Sequence, residues 1–450
     1  MRNTKWLEMR LFALILFSNL ALRFFVNWPI SSAISTPDSI SYRPSLPGPQ
    51  TFPYESLVPL SQLSAIDLFG NSLRPWLINA IMQSLRSDSV IVYFNIFLGS
   101  LAWTLLIFSI ARLFKTKFFK LLASSIVFVF SLTVYVYSWD KFILSEPIVN
   151  SFFIIFVALV IYRSQMNVSF SADALIFTFW AAISISRPVI GLLLTPLLFI
   201  NERRVNRKLL YKLLLVLTTC LYVFVINKNS SDKWLEFMGT PREGLSFAHL
   251  SSSEFAYRDD FITFAELNEA PLCLSSNKNV DLSPWFLART YKTNCPTGVT
   301  WLKEQFGTKF LGFVIEPSNL QTFVFGKSSL AMSGVDFRGF YPYETYRSLP
   351  INNSLTSLLW NNDEVMYLIK LIFYVLFILY YIFIDKTRSS TAMIGILTLS
   401  FLGSIMQITL MPLDYQRLGL PGSFIFNLFL PIFVLLFLET RVKSILLRKK

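Results

Sequence analysis

The stretch ADALIFTFWAAISISRPVIGLLLTPLLFI, residues 172–200, decides how this chain is folded. It is too long for one perpendicular helix across a hydrocarbon layer about 30 Å thick, and it carries Arg187 and Pro188 at its middle. The residue before a proline is biased away from helix, and a charge at mid-membrane lines a cavity rather than facing lipid. The expected structure is two short helices meeting near Arg187-Pro188. The flanks agree: YRS at Arg163 on one side and NERRVNRKLLYK, residues 201–212, on the other are both basic. The positive-inside rule puts both in the cytoplasm, so the chain between them crosses an even number of times.

The rest of the chain has the same character. Hydrophobic residues make up 54% and charged residues only 15%, with 45 Phe, a surface that a soluble fold would expose to water and that lipid solvates. The formal charge of +13 is gathered in short segments beside apolar runs, which reads as topology and not as a nucleic-acid surface. Apolar spans fall at about 11–28, 89–110, 121–138, 146–162, 173–200, 209–226, 365–384, 391–411 and 423–438. Basic connectors at MRNTKWLEMR, ARLFKTKFFK, DKTRSS and the tail TRVKSILLRKK join the two already named on the cytoplasmic side. With residues 173–200 counted as a hairpin, the expected fold is an all-α polytopic membrane protein of about ten transmembrane helices with both termini inside. Arg23 interrupts the first span and no small-residue cleavage site follows, so that span is expected to be retained.

This divides the chain into an N-terminal transmembrane module, 1–226, whose first outer loop is 29–88; an extracytoplasmic domain of mixed polarity, 227–363; and C-terminal transmembrane helices with a basic tail, 364–450. Cys273 and Cys295 both fall in the outer domain, where they are free thiols or a disulfide that closes a short loop; Cys220 lies in an apolar helix. His249, the one histidine, has no Cys or His at metal-ligand spacing. Internal repeats, phosphate-cradling glycine loops and Gly-x-Ser-x-Gly elbows are absent from the sequence.

Three short stretches bring polar groups to the outer membrane face. ISTPDSISYRP, residues 34–44, holds Asp38 and Tyr42; WDKFILSEP, residues 139–147, holds Asp140, Lys141 and Glu146; MPLDYQRLGLP, residues 411–421, holds Asp414, Tyr415 and Arg417. Each also has a plain structural reading. Pro-Asp-Ser suits a turn or helix N-cap, Ser145-Glu146-Pro147 suits a helix start, and Asp414 with Arg417 suits a surface ion pair. Tyr42 and Trp139 suit either sugar stacking or anchoring at the bilayer interface.

Taken together, Asp38 in PDSISY, Leu144 to Pro147, Arg187-Pro188, and Tyr415, Arg417 and Pro421 resemble the glycosyltransferase-C superfamily, membrane enzymes that use polyprenyl-phosphate-linked sugars. In order, they match that family's catalytic acid in the first outer loop, its LSEP-like start of the fourth helix, its arginine-proline break in a helical hairpin, and its arginine before the last helix. The resemblance covers roughly residues 1–226 and 365–440. Residues 227–363 match no known pattern, and PDSIS holds one carboxylate where many members have two.

What the resemblance implies is transfer of a sugar from a polyprenyl-phosphate donor to a hydroxyl of a glycan, lipid or protein acceptor, outside the bacterial cytoplasmic (inner) membrane. Asp38 would be the general base. Arg187 and Arg417, with Lys141 as a third cation, would receive the donor phosphate, because guanidinium groups keep their charge in poorly hydrated sites. Tyr42 and Tyr415 would position sugar. Glu146 would position the acceptor, hold Arg187, or join Asp38 in ligating a divalent cation, Mg or Mn. Two other readings stand beside this one. A transporter or flippase of lipid-linked glycans would use the same charged cavity, and a polysaccharide polymerase or ligase would place its essential charges, such as Arg242 or Arg258, in the large loop.

Overall fold

The computed structural model describes residues 2–28, 77–78, 81, 84–85, 87–142, 145–165, 170–200, 207–251, 258–275, 284–321, 329, 332, 359–360, 362–383, 387–410 and 415–448. Among these residues the elements are helical and no strand is present. Helices α1 (Arg2–Val26), α2 (Asp88–Ala111), α3 (Lys117–Ser131) and the one-turn α4 (Val134–Tyr137) lead through a 3-10 turn, Ser138–Lys141, into α5 (Ser145–Gln165). The hairpin follows as α6 (Phe170–Ser186) and α7 (Pro188–Leu193), extended by a 3-10 turn, Thr195–Phe199. Then α8 (Arg207–Met238) leads away to the small helices of the outer domain, and α14 to α16, defined below, complete the bundle.

Six helices are long and apolar enough to cross a membrane: Glu8–Val26, Ser89–Ala111, Glu146–Gln165, Val365–Phe383, Arg388–Met406 and Pro421–Val442. The expected ten are therefore not met among the described residues. The difference has a physical origin in chain breaks. The third span bends by 56° between Lys117–Ser131 and Val134–Lys141, so it counts as a seventh only if the bent pair is one span. Ala172–Ser186, Pro188–Phe199 and Leu209–Val225 are apolar but only 10–17 residues long, at most about 25 Å at 1.5 Å per residue.

The hairpin takes the form expected of residues 172–200. Arg187 leaves the helical region at φ −138° and ψ 76°, and Pro188 opens α7 at a position where its missing N–H costs nothing. The two arms touch closely. A Cβ at Gly191 would lie 2.3 Å from the Ser184 Cα, and the Trp180 indole N–H donates to the Gly191 carbonyl at 2.8 Å. At the open end, Arg163 from the foot of α5 grips both arms, with Nε 2.9 Å from Asp173 Oδ1 and Nη1 donating to the Leu198 carbonyl at 2.9 Å. Lys212 reaches the same aspartate at 3.0 Å. The segment thus returns to the end from which it leaves.

The segment expected to lie outside the membrane packs α9 (Arg242–Leu250), α10 (Arg258–Leu267), α11 (Pro284–Asn294), α12 (Pro296–Trp301) and α13 (Gly307–Ile315) around Phe247, Phe261, Phe306, Phe310 and Phe313. Cys273 and Cys295 are joined as a disulfide, with Cα atoms 5.5 Å apart. The C-terminal bundle consists of α14 (Glu364–Phe383), α15 (Arg388–Leu410) and α16 (Tyr415–Arg448). Lys370 of α14 ties this bundle to the end of the outer segment, donating to the Leu359 carbonyl, Asn362 Oδ1 and Asn427 Oδ1 at 2.9, 2.7 and 2.9 Å.

Candidate functional site

Helix α5 runs along the hairpin with an ion pair at each end. At the end opposite Arg163 and Asp173, Glu146 meets the hairpin tip: Arg187 Nη2 lies 2.5 Å from Glu146 Oε1. The glutamate side chain is 6% exposed and the arginine side chain 18%, so the pair is shielded yet the arginine retains access to solvent. Two features of the sequence produce this meeting. Pro147 in the first turn of α5 fixes the direction in which Glu146 leaves the preceding turn, and the Arg187-Pro188 break turns the arginine out of its helix.

The turn before α5 is anchored from α1 and α2. Arg23 Nη1 pairs with Asp140 Oδ2 at 2.7 Å, its Nε donates to Asn19 Oδ1 at 3.0 Å, and its Nη2 donates to the Ser131 carbonyl at 3.0 Å. Asn95 of α2 donates to the Asp140 and Phe142 carbonyls at 3.3 and 3.1 Å. Arg23, Asp140, Lys141 and Glu146 are all buried, and a charge so placed is tolerable only when paired and hydrogen-bonded. Beside them lies a cavity of 20 Å³, about the room one water needs, walled by Arg23, Trp139, Asp140, Pro147 and Asn150 among others. Gly99 is required here, because a Cβ would stand 2.6 Å from Arg23 Nη1 and 3.2 Å from Asp140 Oδ1.

No family model, curated protein or solved structure matches this chain. Its chemistry has to be read from these residues alone.

The structure brings together Glu146 and Arg187, and places Lys141 buried in the turn that leads to Glu146. Of the three roles open to Glu146, holding Arg187 matches the geometry. Trp139 is buried against Phe142, at 5.6 Å between ring centroids, and is therefore neither an exposed interface anchor nor a free stacking surface. Tyr415 and Arg417 open α16. Asp38, Tyr42, Leu144 and Asp414 lie outside the described residues. Among the described residues no three His, Cys, Asp or Glu groups converge, and Asp38, the expected partner of Glu146 in holding a divalent cation, lies outside them.

What sequence reading missed is that Arg23, noted only as an interruption of the first span, pairs with Asp140 of the WDKFILSEP turn. Asn19 and Arg23 of α1 and Asn27 just after it recur every four residues, a polar stripe through the apolar second half of the segment. The rule applied to Arg187, that a charge in an apolar span turns inward to a partner, applies equally to Arg23.

Proposed function

We propose that this chain is an integral membrane glycosyltransferase that moves a sugar from a polyprenyl-phosphate donor to an acceptor hydroxyl on the outer side of the membrane. The observation that carries this reading is the shielded Arg187–Glu146 pair at the hairpin tip, with Lys141 buried in the turn that precedes α5. A cation held in a poorly hydrated place at the end of a helical bundle suits a phosphate that arrives attached to a lipid. The contact with Glu146 engages one nitrogen of the guanidinium, whose remaining N–H groups can donate to phosphate oxygens. Glu146 acts as a positioning residue that fixes the arginine's direction.

In the proposed reaction Asp38 takes the proton of the acceptor hydroxyl, whose oxygen attacks the anomeric carbon. The bond from that carbon to the phosphate oxygen breaks, and the polyprenyl phosphate leaves with the electron pair. Arg187, Arg417 and Lys141 balance the charge it carries away, Tyr42 and Tyr415 guide the sugar, and a single displacement inverts the anomeric centre. A placed base contributes about 10²- to 10⁴-fold in rate. The part of this transferase with about ten membrane segments counts the bent pair and the three short apolar helices as crossings.

The test compares cell-envelope glycans by mass spectrometry in a strain lacking the protein, complemented with wild type or Asp38→Asn at matched membrane levels. The expected result is a sugar that wild type restores and Asp38→Asn does not. Full restoration by Asp38→Asn removes the general base and moves a transporter or polymerase ahead.

A further inference from the structure

At the basic end of the bundle, far along α5 from the Arg187 site, lies a second cavity of 310 Å³. It is lined by Leu113, Lys115, Tyr381, Thr387, Ser389, Ser390, Met393, Phe433, Leu436, Glu439 and Thr440. These residues share one level. Lys115 follows the span ending at Ala111, Tyr381 stands two residues before Phe383, Ser389 and Ser390 open the span from Arg388, and Glu439 and Thr440 stand just before Val442. Four span ends therefore close on a space where the apolar part of the bundle gives way to its basic connectors. Its floor is apolar, from Met393, Phe433 and the buried ring of Tyr381, and its mouth is polar, with Lys115, Thr387 and Thr440 exposed.

The charges in this cavity are ordered. Glu439 is buried and anchored: its Oε1 accepts from the Lys115 and Thr116 amides at 2.9 and 2.7 Å, while Oε2 has a single contact of 3.2 Å with the Lys115 amide. That leaves Oε2 with acceptor capacity toward the cavity. Lys115 offers the opposite charge at the mouth, together with the hydroxyls of Thr387, Ser389 and Thr440.

We propose that this cavity binds the headgroup of a zwitterionic aminophospholipid of the surrounding bilayer, its ammonium on Glu439 and its phosphate on Lys115 and the hydroxyls. An anionic headgroup without an amine would match Lys115 but bring no counter-charge to Glu439, and an uncharged one would leave both charges unmatched. The acyl chains leave along the apolar residues Leu113 and Leu436. The inference is independent of the transferase reading, since it concerns the other end of the bundle.

The experiment titrates purified full-length protein in detergent with dihexanoylphosphatidylethanolamine and follows the melting temperature by tryptophan fluorescence. A ligand that binds only the folded state raises Tm with concentration. The expected result is a rise in Tm that grows with the logarithm of ligand concentration, whose onset moves roughly tenfold upward in concentration in Lys115→Gln, and which Thr440→Phe, a ring placed in the mouth, abolishes. Both positions are exposed, so the substitutions leave the unliganded Tm unchanged. Retention of a phosphatidylethanolamine mass by wild type in native mass spectrometry reads the same point without a variant. An equal response to dihexanoylphosphatidylcholine or to inorganic phosphate, no response at all, or variants that respond like wild type would overturn the proposal.

Discussion

Glu146 and Arg187 are worth more to each other than either is to the fold. Replacing a buried ion pair with apolar groups is often tolerated, whereas removing one partner strands a charge and costs about 3 to 5 kcal/mol when the site is fully closed. Here the arginine side chain keeps 18% exposure, so water recovers part of that loss. Glu146→Gln is expected to cost about 1–2 kcal/mol of stability while lowering sugar transfer by about 10²-fold, because the arginine loses its direction rather than its charge. Arg187→Lys should keep the protein folded and still slow transfer, since an ammonium lacks the planar fork. Transfer assays on purified variants with matched melting curves check this. Unchanged rates in both variants would leave the pair a purely structural contact. Arg23 and Asp140 belong at this scale too: their pair was open to inference from the four-residue stripe on α1, but the identity of the partner, 117 positions away, was not.

At the scale of the element, the hairpin is the piece on which the site depends. Its arms approach so closely that Gly191 sits against the backbone of Ser184, a neighbour that cannot rotate aside as a side chain could. Gly191→Ala is expected to separate α6 from α7, to lose the Trp180 hydrogen bond to the Gly191 carbonyl, and to destabilise the protein by about 1–3 kcal/mol. Because Arg187 lies at the tip, the same change should lower transfer more than it lowers stability. A melting curve beside a transfer assay separates the two; loss of stability with a normal rate would show that the tip is insensitive to the spacing of its arms. The element was legible in sequence because its cause is local, a proline preceded by a charge between two apolar runs. The positions where α3 bends and where the short apolar helices end were less so, since apolar composition continues across those breaks.

At the scale of the molecule, the outer domain has its own core and its own sensitivity to pH. Burial lowers the pKa of His249 from 6.5 to about 4, so the folded domain holds it neutral while the unfolded chain protonates near its ordinary value. Its contribution is fully present above about pH 6.5 and is lost as the pH falls toward 4, on the order of 3 kcal/mol at most. Melting of the full chain at pH 7.5 and pH 5 should therefore differ, and His249→Gln should flatten the difference. An identical drop in the variant would point to the domain's carboxylates instead. Reducing the Cys273–Cys295 bond should loosen the same domain and leave the membrane bundle intact, as the bridge closes a loop of 22 residues.

Composition, basic connectors and the Arg187-Pro188 break were enough to establish an all-helical chain built for lipid and to locate its hairpin. Each of these is a property of neighbouring residues, set by hydropathy, charge and the stereochemistry of proline. The union of Cys273 with Cys295 needed only that both lie in one small domain, though a free pair was equally consistent with their spacing. What contact alone decided was which charges meet: Glu146 with Arg187, Arg23 with Asp140, Arg163 with both arms of the hairpin, and Glu439 with the start of α3. A buried charge announces in sequence that it needs a partner, because an unpaired one would cost too much. It cannot name that partner, because the choice depends on which helix faces come together in the packed bundle.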